Sequence, residues 1–292
     1  MSCRIALAAG ATALMALAVL AAPFARVERD IAYGHDPLQR LDLSLPEAKT
    51  FPTVVFVHGG SLSSGDKADD DYKNVCAGLV AEGIACANAN YRLAPKTPWP
   101  GAAADVASAV AWVSGHIGDR GGDPHRVFLM GHSSGAMLVA LVGSDARWLG
   151  AHKIKPKELG GVIAMGSIMW DDELESAIQK HGRPRVEAGF KRDPDHAMFG
   201  SLDAYLDHWP IRHVRAGLPP FLFLIAEAEQ EQPPVLMTNK KFVDETRALG
   251  NWAEYRVLPD RTHVSAIRKL SEPGDRTLKI VRDFVRKRVS LP

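Results

Sequence analysis

The sequence has 292 residues, enough for one large domain with a closed hydrophobic core or for two small domains. Hydrophobic residues make up 46% and charged residues 24%, which is the composition of a globular protein rather than a disordered or fibrous one. The formal net charge is only +1, and no basic cluster is interleaved with aromatic residues. These features argue against a nucleic-acid-binding surface.

Residues 1–25 have the pattern of a secretory signal peptide. A positively charged start precedes an Ala- and Leu-rich stretch at residues 5–20, and small residues follow it. We expect cleavage after Ala21 or Ala25 and export to the periplasm or the medium, with no stable membrane association of the mature chain. The alternative is an uncleaved membrane anchor, because residues 5–22 are nearly long enough to span a bilayer.

From residue 26 onward, short apolar runs alternate with helical patterns, and we expect residues 26–292 to form one domain. The first runs predict a period-two hairpin at residues 30–46 and then a continuous apolar strand at residues 53–60. The alternation continues with helices predicted at residues 71–83, 102–117, 134–143, 235–250 and 275–288 and strands at residues 84–93, 126–131, 160–166, 219–227 and 252–259. Apolar strands separated by helices indicate an α/β fold, a mostly parallel, doubly wound sheet with an antiparallel N-terminal hairpin.

Residues 167–216 interrupt this alternation with a polar stretch that contains scattered aromatic residues. A long ordered excursion between two strands usually covers a functional site, so we expect a small helical cap here. Trp170, Phe199 and Trp209 are open to two interpretations, as the wall of a pocket or as the core of the cap itself. The general tendency of large aromatic side chains to be buried favours the core.

The cysteines are open to two interpretations as well. Cys3 lies in the predicted signal peptide, whereas Cys76 and Cys86 lie in a predicted helix and in the strand that follows it. Export to an oxidising compartment permits a disulfide between them. Both residues have apolar neighbours, however, and we therefore expect two buried free thiols.

The motif Gly131-His132-Ser133-Ser134-Gly135 follows a predicted strand and opens a predicted helix. In that setting G-x-S-x-G places a serine on a sharp, strained turn above the sheet, and the two glycines avoid collisions with the neighbouring strand and helix. The motif therefore predicts Ser133 as a nucleophile. The alternative is that Ser133 or Ser134 only caps the helix.

A nucleophilic serine needs hydrogen-bond donors for the oxyanion that forms when it attacks an acyl carbonyl. Gly59 and Gly60 follow an apolar strand, and glycine lets the backbone N–H groups approach an anionic oxygen closely. We expect the oxyanion hole to consist of these two residues and the backbone N–H of Ser134, directly after the nucleophile. The alternative is a simple glycine turn.

The general base is expected late in the chain, in a loop after a strand, and His263 has that setting. His132 lies inside the serine motif and His58 directly precedes the oxyanion glycines, so both are poorer candidates. The remaining histidines lie in predicted helices or in the cap. We therefore predict His263 as the base.

The acid that orients the base should follow the strand at residues 219–227, where the sequence offers three glutamates and no aspartate. Either type of carboxylate accepts the imidazole N–H and stabilises the imidazolium. We choose Glu229, with Glu231 as the next candidate. The other carboxylates are Glu227 in the same loop and Asp171 or Asp172 after the preceding strand.

With these residues in place, the chain resembles the α/β-hydrolase superfamily, and within it the small bacterial carboxylesterase, feruloyl-esterase-like and kynurenine-formamidase-like group. The matching segments are YGHDPLQRLDLSLP, VFVHGGSLSSGDK, ANYRLAP, GHSSGAMLVALVGSD, GLPPFLFLIAE and LPDRTHVS, which occur in the expected order between Ile31 and Ser265. The resemblance implies the α/β-hydrolase fold and the following site residues: Ser133, His263, a carboxylate near Glu229, and the oxyanion donors Gly59, Gly60 and Ser134.

The sequence departs from the family pattern in two places. Ala226 stands where a glycine is usual, and glutamate replaces the commoner aspartate after it. After the oxyanion glycines, Ser61 and Leu62 replace the usual glycine and tryptophan. The second departure changes the wall of the acyl pocket and leaves the substrate open.

The residues and the resemblance together predict a serine hydrolase that cleaves carboxylic esters of small or medium acyl groups through an acyl-enzyme on Ser133. Its partner is a small-molecule ester, and no metal or organic cofactor is expected, since the sequence has no H-E-x-x-H motif or cysteine cluster. One alternative is an amide or formamide hydrolase, because the same residues serve both reactions. Another is a non-catalytic binding protein of the same fold, which the two departures favour. The oligomeric state is left open.

Overall fold

The computed structural model describes residues 26–230 and 233–289, so the predicted signal peptide at residues 1–25 and the candidate acid Glu231 lie outside the described residues. The strands are β1 (Arg26–Ala32), β2 (Arg40–Leu45), β3 (Phe51–Val57), β4 (Ala85–Ala89), β5 (Gly122–His132), β6 (Gly161–Met165), β7 (Phe221–Ala226) and β8 (Ala253–Leu258). The α-helices are α1 (Asp70–Ala81), α2 (Gly101–His116), α3 (Ser134–Ser144), α4 (Ala146–Gly150), α5 (Asp172–His181), α6 (Arg183–Phe190), α7 (Leu202–Asp207), α8 (Pro233–Ala248), α9 (Ser265–Arg268) and α10 (Arg276–Val289).

The described strands form one sheet in the order β1-β2-β4-β3-β5-β6-β7-β8. β2 runs antiparallel to both β1 and β4, and every other neighbouring pair is parallel. This topology confirms the mostly parallel sheet with an antiparallel N-terminal hairpin. Because β3 and β5 to β8 run in the same direction, the loops that follow them meet at one edge of the sheet.

Two hydrophobic layers cover the sheet. Successive side chains of a strand point to opposite faces, so Val55 and Val57 join the layer of α2, α3 and α8, whereas Val54 and Phe56 join the layer of α1 and α10. Burial on both faces explains why the central strands are continuous apolar runs. The last helix, which the sequence predicted, buries Leu278, Val281, Phe284 and Val285.

The segment between β6 and β7 contains the short helices α5, α6 and α7. Its buried side chains, among them Phe190, Leu202 and Leu206, extend the same hydrophobic layer that contains α2 and α3. Backbone contacts add to this packing, since the Trp99 N–H donates to the Met198 carbonyl at 2.9 Å. The insertion therefore lies against the carboxyl edge of the sheet.

The expectation of two free thiols was wrong, because Cys76 and Cys86 form a disulfide. Helix α1 packs beside β4 and brings the two Cα atoms to 5.2 Å, a separation at which a disulfide forms. The apolar neighbours that favoured free thiols also suit a disulfide, which has no polar hydrogen to satisfy. The pairing depends on how α1 is placed, which the residue types alone do not specify.

We expect the double variant Cys76→Ala/Cys86→Ala to lose about 2 to 3 kcal/mol in free energy of unfolding, because the disulfide limits the freedom of the unfolded chain. Urea unfolding followed by circular dichroism measures this loss. The control is the wild-type protein with and without dithiothreitol, because reduction breaks the disulfide without truncating the two side chains. Equal midpoints for the oxidised and reduced wild-type protein would contradict the prediction.

Candidate active site

Ser133 occupies the sharp turn between β5 and α3. Its backbone has φ 56° and ψ −129°, a strained conformation for a residue with a side chain. The turn is held by hydrogen bonds on both sides, from the Ser133 N–H to the Met165 carbonyl at 2.9 Å and from the Ala136 N–H to the Ser133 carbonyl at 2.8 Å. The serine is thereby fixed at the carboxyl edge of the sheet.

The two glycines of the motif are required by close backbone contacts. A Cβ atom at Gly131 would lie 2.3 Å from the Gly135 carbonyl oxygen, and a Cβ atom at Gly135 would lie 2.3 Å from the Val57 carbonyl oxygen. Helix α3 thus begins in direct contact with the backbone of β3 and β5. Any side chain at either position would push the helix, and Ser133 with it, away from the sheet.

His263 and Glu229 form a hydrogen-bonded pair, with 2.6 Å between Nδ1 and Oε1. The Glu229 side chain is 5% exposed and the His263 side chain 40% exposed. The other carboxylate oxygen of Glu229 accepts the Ala226 N–H at 2.7 Å, so the acid is fixed from both sides. A carboxylate on Nδ1 keeps the proton there and leaves a lone pair on Nε2, the state that a general base requires.

Gly166 makes room for this pair, and the sequence analysis missed it. It follows β6 with φ +66°, and a Cβ atom there would lie 2.7 Å from Oε1 of Glu229 and 2.9 Å from Nδ1 of His263. A glycine directly after a buried strand was the signal that could have identified it.

The other candidate acids that the structure describes have different partners. Glu227 accepts the Asp260 N–H at 2.9 Å. Asp171 caps α5 by accepting the Leu174 N–H at 2.9 Å and also accepts the Tyr205 hydroxyl at 2.8 Å. Asp172 is the first residue of α5. Glu229 is therefore the carboxylate that the fold brings to His263.

The candidate oxyanion donors lie beside Ser133, but they are not equivalent. A Cβ atom at Gly59 would lie 2.8 Å from the Ser133 Cβ, so this segment touches the nucleophile. The Gly59 N–H donates to the Tyr72 hydroxyl at 3.2 Å. Across residues 26–230 and 233–289, the N–H groups of Gly60 and Ser134 have no hydrogen-bond partner. These two groups are the donors available to a ligand, and Ser134 has the added electrostatic benefit of a helix N-terminus.

An ion-pair cluster anchors the loop that follows the oxyanion glycines. The Lys67 ammonium is buried and lies 2.8 Å from carboxylate oxygens of both the exposed Asp30 and the buried Asp42 on the β1–β2 hairpin. Burial alone would lower the pKa of Lys67, but the hydrogen bonds that it donates to the two carboxylates raise it. The Lys67 backbone is fixed as well, since its N–H donates to Asn90 at 2.5 Å and its carbonyl accepts from Asn88 at 2.8 Å.

Two buried histidines fix backbone carbonyls next to the site. Nε2 of His132 donates to the His263 carbonyl at 2.9 Å, and Nδ1 of His58 donates to the Gly59 carbonyl at 2.7 Å. Burial lowers the pKa of His132 to about 4 and lowers the pKa of His58. Both rings are therefore neutral near pH 7 and orient the base and the oxyanion segment. The sequence analysis set them aside as bases and missed this role.

A cavity of about 320 Å³ opens beside Ser133 and Ser134. Phe199 and Trp209 line it and are also buried in the hydrophobic layer, so both interpretations hold for these two rings. Each ring packs against the cap on one side and faces the cavity on the other. Trp170 lies elsewhere, with the Lys241 ammonium 4.7 Å from its ring centroid.

Residues 26–230 and 233–289, which the structure describes, lack two further features. No group of three or more His, Cys, Asp or Glu side chains there is arranged to hold a metal ion. No helix there is both long and apolar enough to cross a membrane.

The sequence has relatives among characterised families. The family model described as BD-FAE matches residues 41–158. "Probable carboxylic ester hydrolase LipM" of Mycobacterium tuberculosis is 28% identical over 245 residues, 80% of this chain and 55% of that protein. "Probable isoprenylcysteine alpha-carbonyl methylesterase ICMEL1" of Arabidopsis thaliana is 38% identical over 246 residues, 81% of this chain and 51% of that protein. The chain thus spans about half the length of these relatives.

Solved structures share the fold. A truncated carbohydrate esterase from gut microbiota superposes with a TM-score of 0.72 at 15% identity, over 92% of this chain and 98% of the other. A thermophilic esterase of the Planctomycetes species Thermogutta terrifontis, with propionate bound, gives 0.68 at 22% identity, over 91% and 94% of the two chains. The chain has the α/β-hydrolase fold.

Within this fold, the sequence-predicted site residues come from loops that are far apart in the chain and meet at one edge of the sheet. Ser133 follows β5, Glu229 follows β7 and His263 follows β8. The arrangement provides a hydroxyl on a strained turn, a carboxylate-bound imidazole and two unpartnered N–H groups. Chemically, such a set can attack a carbonyl carbon, hold the resulting oxyanion and transfer protons.

We expect the free energy of unfolding of the protein to fall as the pH decreases from about 6.5 to about 4. Burial lowers the pKa values of both His132 and His208 to about 4. In that window the unfolded chain binds protons at these positions and the folded chain does not, which favours unfolding. Each histidine contributes a slope of about 1.4 kcal/mol per pH unit.

Urea unfolding at several pH values between about 4 and 7.5 measures this slope. The variant His208→Gln should give a shallower slope than the wild-type protein, whereas replacement of the exposed His125 by Gln should leave it unchanged. An identical slope in wild type and His208→Gln would show that burial does not depress the pKa of His208.

Proposed function

We propose that the protein is a serine hydrolase that cleaves carboxylic esters of small or medium acyl groups. The observation that carries the proposal is the Ser133 turn beside a cavity, at the same sheet edge as the pair of His263 and the buried Glu229 with its 2.6 Å hydrogen bond. The names of the relatives, a carboxylic ester hydrolase and a methylesterase, support the same chemistry.

In the proposed reaction, Nε2 of His263 takes the proton of the Ser133 hydroxyl as its oxygen attacks the ester carbonyl carbon. The Glu229 carboxylate accepts the Nδ1–H and stabilises the imidazolium that forms. The alcohol then leaves with the proton from His263, and an acyl group remains on Ser133. Water, deprotonated by His263, attacks the acyl group, and the acid is released as the proton returns to the serine oxygen.

The oxyanion is proposed to bind to the N–H groups of Gly60 and Ser134. Both are unpartnered within the described residues, and a preorganised backbone donor needs no rearrangement as charge develops. The Gly59 N–H already donates to the Tyr72 hydroxyl, so it acts as a third donor only when that bond is exchanged. Gly60 is thus proposed as an oxyanion donor in every case, and Gly59 only when it releases the Tyr72 hydroxyl.

The size of the cavity supports the proposed preference for small or medium acyl groups. Its volume of about 320 Å³ lies at the small end of ligand-binding pockets, and Ser133 is among the residues that line it. Phe199 and Leu62 give it apolar walls, which suit a short hydrocarbon chain. Long acyl chains would extend beyond these walls and gain no further burial.

We expect Ser133→Ala to lower kcat on p-nitrophenyl acetate and butyrate by at least about 10⁴-fold, because the attacking oxygen is removed. Release of p-nitrophenol measures the rate. Ser108→Ala on α2 is the matched control, since its hydroxyl donates to the Ala104 carbonyl away from the site, and it should retain full activity. Equal rates for Ser133→Ala and wild type would refute the proposed nucleophile. A folded wild-type protein with no turnover would favour the formamide hydrolase or the non-catalytic protein.

We expect Glu229→Gln to lower kcat by about 10³- to 10⁴-fold with little change in KM, because the neutral amide neither stabilises the imidazolium nor fixes the tautomer of His263. The matched control is Glu227→Gln, two residues away, whose carboxylate binds the Asp260 N–H. Both variants should be compared by stopped-flow or steady-state assays after their folding is checked by circular dichroism. Similar losses in the two variants would argue against Glu229 as the acid.

A further inference from the structure

The cavity beside Ser133 contains a polar group that the proposed reaction does not use, the imidazole of His208. This residue follows α7, is 3% exposed and lines the cavity. Its Nδ1 is hydrogen-bonded to the Tyr205 carbonyl. Because a carbonyl oxygen only accepts, Nδ1 carries the proton and Nε2 carries a lone pair.

Nε2 of His208 has no hydrogen-bond partner among the described residues. It is also not completely enclosed by protein atoms, so a small molecule can reach it. Since the residue is almost completely buried and lines the cavity, the small exposed fraction belongs to the cavity side. A buried acceptor without a partner is unfavourable, and folded proteins normally satisfy such groups. The cavity therefore presents one acceptor that a ligand can satisfy.

Aromatic rings surround this acceptor and make its environment apolar. The His208 ring centroid lies 4.0 Å from that of Trp209, 4.5 Å from that of Phe199 and 4.8 Å from that of Tyr205. Burial lowers the pKa of His208 to about 4, so the ring is neutral near pH 7 and offers an acceptor rather than a second donor. In such surroundings a hydrogen bond is stronger than in water.

Tyr205 also lines the cavity, and its hydroxyl donates to Asp171 at 2.8 Å. His196 lines the cavity too, but its side chain is 22% exposed and its ring stacks on Phe190 with 4.4 Å between centroids. His208 is distinguished from His196 by its almost complete burial and by the Tyr205 carbonyl, which fixes the tautomer and makes Nε2 the acceptor.

We propose that Nε2 of His208 accepts a hydrogen bond from a hydroxyl group on the acyl or alcohol part of the substrate. The enzyme then prefers hydroxyl-bearing esters to hydrocarbon esters of the same length, because the hydrocarbon leaves the buried acceptor unpaired. The inference rests on ester hydrolysis at Ser133 and names the substrate class of that site. Ethers and ketones of the same shape have no donor and gain no preference.

The test compares matched substrates that differ only in a terminal hydroxyl. One series consists of methyl esters of unbranched acids with about four to eight carbons, and the other of acetates of unbranched alcohols of the same lengths; proton release gives kcat and KM. We expect at least one hydroxylated member to exceed its hydrocarbon partner about 10-fold or more in kcat/KM, mainly through a lower KM.

The variant His208→Phe keeps an aromatic ring and removes the acceptor. We expect its hydroxyl preference, the ratio of kcat/KM for a hydroxylated ester to that for its hydrocarbon partner, to fall to about one. His208→Gln retains an acceptor oxygen and should keep part of the preference, which a purely structural role would not explain. His125→Phe, at an exposed position of β5, is the control and should retain the full preference.

A wild-type enzyme without hydroxyl preference in either series, or a preference that persists in His208→Phe, would overturn the inference. If the wild-type protein hydrolyses no ester, the proposed function fails, and a binding experiment tests the inference instead. Phenol and toluene are then titrated against ¹⁵N-labelled protein. A shift of the His208 Nε2 resonance with phenol and not with toluene supports the acceptor role, and equal responses reject it.

Discussion

The close contact between the start of α3 and the backbone of the sheet is the constraint on which the site depends. The contact is possible because Gly131 and Gly135 have no side chain. A Cβ atom at Gly131 would lie 2.3 Å from the Gly135 carbonyl oxygen, and a Cβ atom at Gly135 would lie 2.3 Å from the Val57 carbonyl oxygen. This contact forces Ser133 to φ 56°, a strain of the order of 1–3 kcal/mol. The apolar residues of α3, which are buried along its whole length, stabilise the helix enough to maintain the strained turn.

The same edge of the sheet brings fixed dipoles and a buried carboxylate around the serine hydroxyl. Glu229 receives one backbone N–H and one imidazole N–H, so its charge is stabilised by two donors although it is buried. His132 binds the carbonyl of the base, and His58 binds the carbonyl of the oxyanion segment. Because these rings are neutral near pH 7, they orient the site without adding a charge that would compete with the oxyanion.

The sequence predicted most of the elements because apolar periodicity and glycine positions are local signals. Ser133, Glu229 and His263 could be placed because each directly follows a recognisable strand in a sheet of known direction. The Cys76–Cys86 bond could not be predicted, since it depends on the distance that results when α1 packs beside β4. The same holds for the Tyr72 hydroxyl, which reaches Gly59 from α1, and for the rings of Phe199 and Trp209, which pack on one side and face a cavity on the other.

The loop after the oxyanion glycines shows how a departure from the family pattern is accommodated. Where glycine and tryptophan are usual, Ser61 and Leu62 adopt left-handed backbone conformations with φ 53° and 62°, each unfavourable by roughly 1 kcal/mol for a residue with a side chain. The loop is nevertheless held on both sides, by the Ala94 N–H, which donates to the Leu62 carbonyl at 2.9 Å, and by the Lys67 ion pairs. Gly60 directly precedes this strained pair, and the Lys67 ion pairs at the opposite end of the loop help to fix the backbone that carries its N–H. The hairpin at the edge of the sheet therefore supports the geometry at which an oxyanion would bind, although it contributes no residue to the site itself.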